Sequence, residues 1–270
     1  MKHSLHILLL FAILSGINSR IVAQNATPEN KVKIELGADL YSRYVWRGTQ
    51  YGGNSPSLQP SLSASYGNFV INAWGAYSLG GINPSQEMDL SLSYSFLNDL
   101  FTAVITDYYF PTEDAPYNYF NYSKNSTGHV LELGVSFNGT KEIPLSFSAY
   151  VNFFGADAVR LNNDPTSPDF NQKTGIQYSN YFELAYNTSV QDIDLSLFLG
   201  ATLSKPEKAN AATGFIGESG YYGENPGVVN LGVTASKSVK ITTNYATSLT
   251  ASLITNPQTK NVFLIFGISF

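Results

Sequence analysis

The stretch Lys31-Val-Lys-Ile-Glu-Leu-Gly-Ala-Asp-Leu-Tyr-Ser-Arg-Tyr-Val-Trp-Arg47 decides the fold class. Val32, Ile34, Leu36, Ala38, Leu40, Tyr44 and Trp46 share one face of an extended chain, and Lys33, Glu35, Gly37, Asp39 and Arg43 share the other. Side chains alternate along a strand, so this period of two marks a strand whose faces meet two different solvents.

The same alternation runs to the end of the chain. It recurs at Leu58, Leu62, Ala64 and Tyr66; at Phe69, Ile71, Ala73 and Tyr77; and at Met88, Leu90, Leu92, Tyr94 and Phe96. Leu100, Val104, Tyr108 and Phe110 form the next stripe, then Leu131, Leu133, Val135 and Phe137, then Leu145, Phe147, Ala149, Val151 and Phe153. Tyr178 to Tyr186, Ile193 to Leu199, Val229 to Ala235, Ile241 to Leu253 and Val262 to Phe270 complete the series. This predicts an all-β chain of about twelve strands of roughly ten residues, an even number as in bacterial membrane barrels. No segment after residue 24 holds 18 consecutive apolar residues, so no helical span is expected.

The links support closure into an up-and-down antiparallel barrel. Short links at 67–68, 97–99, 138–142, 190–192 and 237–240 alternate with longer ones at 47–57, 80–86, 111–128, 155–176, 204–227 and 255–260. Outer-membrane barrels have short periplasmic turns and longer external loops. Within the predicted strands Glu35, Asp39, Arg43, Asp89, Asp107, Glu132, Glu183 and Asp194 fall opposite the apolar stripes, with Arg47 on the same parity. These nine residues are the lumen and selectivity candidates, because a charge on the lipid face costs up to a few kcal/mol. For Arg43 and Arg47 two readings stand: a constriction that tunes ion selection, or a salt bridge that stiffens the barrel. The terminal strand ends in Phe270, which reads as an assembly signal for the machinery that inserts barrels.

Composition agrees. Charged residues are 13% of the chain and aromatics 14%, whereas soluble domains carry about 25% charge. Residues 1–24 have the basic start and short apolar run of a secretory signal peptide, leaving 25–270 as one domain in a bacterial outer membrane. Cysteine is absent and the net charge is −5, which argues against disulfides, thiolate chemistry and nucleic acid as a partner.

Little in the sequence suggests catalysis, a cofactor or a metal. After the leader only His129 remains among histidines; it has the lipid-facing parity near the outer rim and reads as a headgroup-level residue. A lipid-active enzyme built on His129 with Ser126 is the sharper alternative, without a nucleophile motif to support it. Asp157, Asp164 and Asp169 share one long loop and read as solvated residues rather than as a Ca²⁺ site.

One set of segments goes beyond the pattern: Ser42-Arg43-Tyr44-Val45-Trp46-Arg47-Gly48, Gln50, Ser55-Pro56-Ser57-Leu58-Gln59-Pro60, Ala73-Trp74-Gly75, Glu87-Met88-Asp89-Leu90 and Asp107-Tyr108-Tyr109-Phe110-Pro111. Together they resemble the TorF family of porin-type proteins (the Gcw_chp proteins), over roughly Ser42 to Pro111. Thr49 after Arg-Gly departs from a common form of that family's motif. The resemblance implies an outer-membrane barrel passing small solutes or ions by passive diffusion. A non-conducting structural or ligand-binding barrel is the alternative.

Overall fold

The computed structural model describes residues 31–81, 85–111 and 118–270. The expected signal peptide lies outside the described residues. Twelve antiparallel strands close into one barrel. In chain order these are β1 (Lys33–Tyr41), β4 (Ser57–Tyr66), β5 (Phe69–Ser78), β6 (Gln86–Phe96), β7 (Phe101–Tyr109) and β8 (His129–Phe137). The second half is β9 (Leu145–Gly155), β12 (Asn180–Val190), β13 (Ile193–Thr202), β14 (Gly227–Lys240), β15 (Ala246–Asn256) and β16 (Asn261–Ser269). β1 pairs with β4 on one side and with β16 on the other, with Asp39 opposite Ser269 and Leu40 opposite Ile268. Phe270 N–H donates to Ala38 O at 2.9 Å and finishes that seam. Closure leaves no unpaired strand edge.

The barrel is inside out relative to a soluble domain. Ile71, Leu133, Leu184, Leu197, Leu253 and Phe266 stand exposed on the exterior, Leu133 at 51%. Ser63, Ser91, Thr106, Ser196, Thr234 and Ser252 are buried in the interior. Hydroxyls pair across neighbouring strands there, Thr234 with Ser252 and Ser136 with Ser148, each at 2.8 Å. Buried polar groups are tolerated because they find such partners.

Most links keep the expected asymmetry, but two details differ. β14 runs through Lys240, so residues 237–240 are strand and the turn is 241–245. β15 supplies backbone partners for those lysine-bearing positions, and Lys237 is ion-paired with Asp192 at 2.9 Å. At the other end, the link 257–260 is as tight as the short turns.

The first strand departs most from its sequence reading. β1 stops at Tyr41, and the alternation of Tyr44 and Trp46 belongs to a separate hairpin, β2 (Tyr44–Trp46) with β3 (Thr49–Tyr51). Arg47 (φ 47°) and Gly48 (φ 77°) form its turn. Two successive left-handed residues make the tight turn that suits hairpin twist. Tyr44 and Trp46 therefore do not face outward: Tyr44 is buried against Trp74 and Ala76, with Trp46 packed on the same cluster. A second hairpin, β10 (Val159–Leu161) with β11 (Lys173–Ile176), lies in the long loop between β9 and β12.

Candidate functional site

Gly48 shows how tightly the β2–β3 hairpin is seated. A Cβ at Gly48 would stand 2.0 Å from Val229 O, on the barrel wall. The wall accommodates it at the start of β14, where the β13–β14 register shifts near Gly200 and Ala201. That bulge turns Val229 inward, against its expected outward parity, into a cluster with Tyr181 and Tyr222. Asn256 Nδ2 donates to Gly48 O at 3.3 Å.

Arg47 extends from this turn across the lumen. Its Nη2 donates to Glu132 Oε1 at 3.0 Å and its Nη1 to Glu132 Oε2, a two-pronged pair between hairpin and β8. Nη1 also donates to Tyr222 Oη at 2.5 Å. Glu132 is 1% exposed and accepts from two more groups, Tyr108 Oη at 2.8 Å and Tyr222 Oη at 2.9 Å. The guanidinium lies 4.2 Å from the Tyr150 ring centroid, 4.4 Å from Trp46 and 4.5 Å from Tyr181. A buried charge is costly unless paired and hydrogen-bonded, and this one is both, with aromatic faces around the cation. Tyr222 comes from the long loop 203–226, so two separate loops meet on one ion pair inside the barrel.

The other lumen candidates divide. Asp39, Asp89 and Glu183 face inward, Glu183 taking hydrogen bonds from Tyr181 Oη and from Asn230 Nδ2 at 3.1 Å. Arg43 donates to Gln50 Oε1 at 3.0 Å and lines a cavity under the hairpin. Glu35 pairs with Lys33, and Asp194 with Ser189, at the short-turn end. Glu87, not among the candidates, is buried beside Asp89 and Tyr44, with its Oε2 unpartnered. Its parity in the strand was the signal that could have found it.

Asp107 is a correction: it is not in the lumen. Directly paired residues in an antiparallel sheet point to one face, and Asp107 is opposite Leu90 and Leu131 on the exterior. The stripe Leu100, Val104, Tyr108, Phe110 was the wrong one, because β7 carries apolar residues on both parities. Val104 and Tyr108 are buried inside, and Ile105 is exposed outside.

At the rim of the exterior Asp107 meets His129. His129 Nδ1 lies 2.7 Å from Asp107 Oδ1 and Nε2 lies 2.5 Å from Tyr119 O. Tyr122 Oη donates to Asp107 Oδ2 at 2.6 Å and its ring stacks on the imidazole at 4.1 Å. His129 keeps the exterior parity but is 0% exposed, roofed by Tyr109, Tyr119 and Tyr122 rather than open at headgroup level. Both ring nitrogens are occupied, so neither faces a hydroxyl as a base. The acidic loop residues do not converge either: Asp157 serves Asn152 and Ser179, and Asp164 serves Thr166. Among the described residues no three His, Cys, Asp or Glu side chains gather as metal ligands.

The long loops at this end brace each other. Glu218 accepts from Leu161 N–H and Glu207 N–H, each at 2.9 Å, and from Arg160 at 2.7 Å. Desolvation pushes its carboxyl up, but those two amides and Arg160 outweigh it and hold the pKa below 4.5.

No protein-family model matches the chain, and no curated protein matches it. Among solved structures the chain is similar to Wzi of Escherichia coli, an outer-membrane protein involved in group 1 capsule assembly and a carbohydrate-binding β-barrel. The identity is 8%, the match covers 80% of this chain and 52% of that one, and the TM-score is 0.28. The chain thus spans about half the length of that protein, and so loose a superposition adds nothing to the strand pairing, which alone defines the barrel.

Proposed function

We propose that this chain is an outer-membrane β-barrel whose lumen is closed in its resting state by the β2–β3 hairpin, and which binds ligand rather than conducting freely. The observation that carries this is the enclosed Arg47–Glu132 pair, held by Tyr108 and Tyr222 across the bore. The apolar exterior and closed strand order support a membrane setting, since only helices and closed barrels satisfy their backbone in lipid. Residues 1–24 act as the export signal and Phe270 as the assembly signal in this reading. It assigns no catalysis and no cofactor.

The proposal includes membership in the TorF family. Tyr44, Trp46, Arg47, Gln59, Trp74, Glu87, Asp89 and Tyr108, all within the segments that carry that resemblance, line the hairpin or the wall it packs on. A porin reading has one observation in its favour: the polar, acidic lining with Asp39, Glu87, Asp89 and Glu183. It requires the hairpin to leave the bore, and it would favour cations and neutral solutes. Planar-bilayer recordings of the purified protein separate the two. Closed membranes with rare openings support the proposal; steady single-channel conductance from wild type establishes the porin reading instead.

A further inference from the structure

The cavity below the hairpin has a volume of about 80 Å³. A water needs roughly 10–15 Å³ on that measure, so the space suits a solute of roughly six non-hydrogen atoms. Its wall is not uniform. Both tryptophans of the chain, Trp46 and Trp74, line it, together with Arg43, Gln59, Glu183 and Asn230.

Two of those groups are unfinished. Among the described residues Arg43 donates one hydrogen bond, to the neutral Gln50, and has no carboxylate within ion-pair reach. Glu183 accepts from the neutral Tyr181 Oη and Asn230 Nδ2, and among the described residues it has no cation within ion-pair reach. The amide orientation is fixed, because Nδ2 serves the Glu183 carboxylate and the Tyr181 hydroxyl, and a carboxylate only accepts. The cavity therefore offers a guanidinium that lacks an anion and a carboxylate, Glu183, that lacks a cation. A neutral polyol would leave Arg43 without a counter-charge, and a simple acid would leave Glu183 without one.

We propose that this cavity binds a small zwitterionic amino acid such as glycine or alanine, with its carboxylate on Arg43 and its ammonium on Glu183. Guanidinium–carboxylate pairing is a strong, directional contact, and the indole faces cover the Cα and a small side chain. The inference rests on the closed-lumen reading, since the hairpin supplies Arg43, Trp46 and one wall of the space.

Tryptophan fluorescence of the full chain in detergent micelles reads the site directly. Alanine should give a saturable change, with lactate, which has a hydroxyl in place of the ammonium, and ethylamine, which has no carboxylate, at least tenfold weaker. Arg43→Gln and Glu183→Gln should each weaken alanine tenfold or more, and Arg43→Lys should keep part of the binding. Heat-modifiable gel mobility confirms that each variant is a folded barrel. No saturable change with alanine, or equal responses to lactate, ethylamine or glycerol, overturns the proposal. Conductance recorded on the same preparation keeps the two readings apart. A silent barrel without binding overturns this inference alone, and a conducting one overturns the closed lumen.

Discussion

Two hydrogen-bonded pairs wrapped in tyrosine rings sit on opposite sides of the same barrel wall. Inside, Arg47 and Glu132 tie a hairpin to β8, with Tyr108, Tyr150, Tyr181 and Tyr222 around them. Outside, Asp107 and His129 tie residues 118–127 to the rim, with Tyr109, Tyr119 and Tyr122 around them. Glu132 and His129 are three residues apart on one strand, and the period of two alone sends them to different solvents. The inner pair holds the hairpin inside the barrel; the outer pair pins a loop on the exterior. Breaking each should therefore have distinct consequences.

The largest effect is expected inside. Arg47→Ala or Glu132→Ala leaves a buried charge alone and should cost about 3–5 kcal/mol, read as a lower urea midpoint for the folded gel band. The double change Arg47→Met with Glu132→Leu should recover most of that stability while still loosening the hairpin. Next comes the exterior belt: Leu133→Arg, on the strand that also carries Glu132, should cost about 2–4 kcal/mol in a lipid bilayer. A change near zero in vesicles would contradict the membrane-facing assignment of that face.

At the rim, His129→Gln should cost about 1–3 kcal/mol, the loss typical of a buried polar partner. It should speed trypsin cleavage after the exposed Lys124 without changing bilayer conductance. Conductance that rises with His129→Gln would erase the distinction between the two clusters. The smallest effect concerns pH. Glu218 has a lowered folded pKa, so its contribution is present above the unfolded value of 4.5 and is lost as pH falls through the lower folded value. Amide-exchange protection of Leu161 and Glu207 should persist at pH 5 and fade below 4.5. Protection unchanged down to pH 2 would show that the carboxylate does not hold the loops.

The strand count and the closed antiparallel barrel were legible because burial in two solvents forces a period of two. That signal failed where both parities were apolar, as in β7, and Asp107 was then assigned to the wrong side; only pairing with β6 and β8 fixes its face. It failed again at Tyr44 and Trp46, where the alternation was real but followed a bend at Ser42 and Arg43. Arg47-Gly48 carried a turn signal, yet Arg at φ 47° is a tertiary outcome: the Glu132 carboxylate and the Tyr222 hydroxyl hold it there. Tyr222 is distant in sequence and could not be linked to Arg47 without the fold. Likewise Asn230 looked like an ordinary strand residue until its amide met Tyr181 and Glu183.

The central claim is that the first long loop lies inside the barrel. Val45 on the hairpin and Ile254 on β15 both pack against the cluster of Tyr41, Phe263 and Ile265, and the native chain has no cysteine. A Val45→Cys, Ile254→Cys variant treated with a short bis-thiol reagent in membranes should cross-link efficiently and stay electrically silent. If both thiols label separately at full rate and no cross-link forms, the hairpin is not in the bore and the account fails.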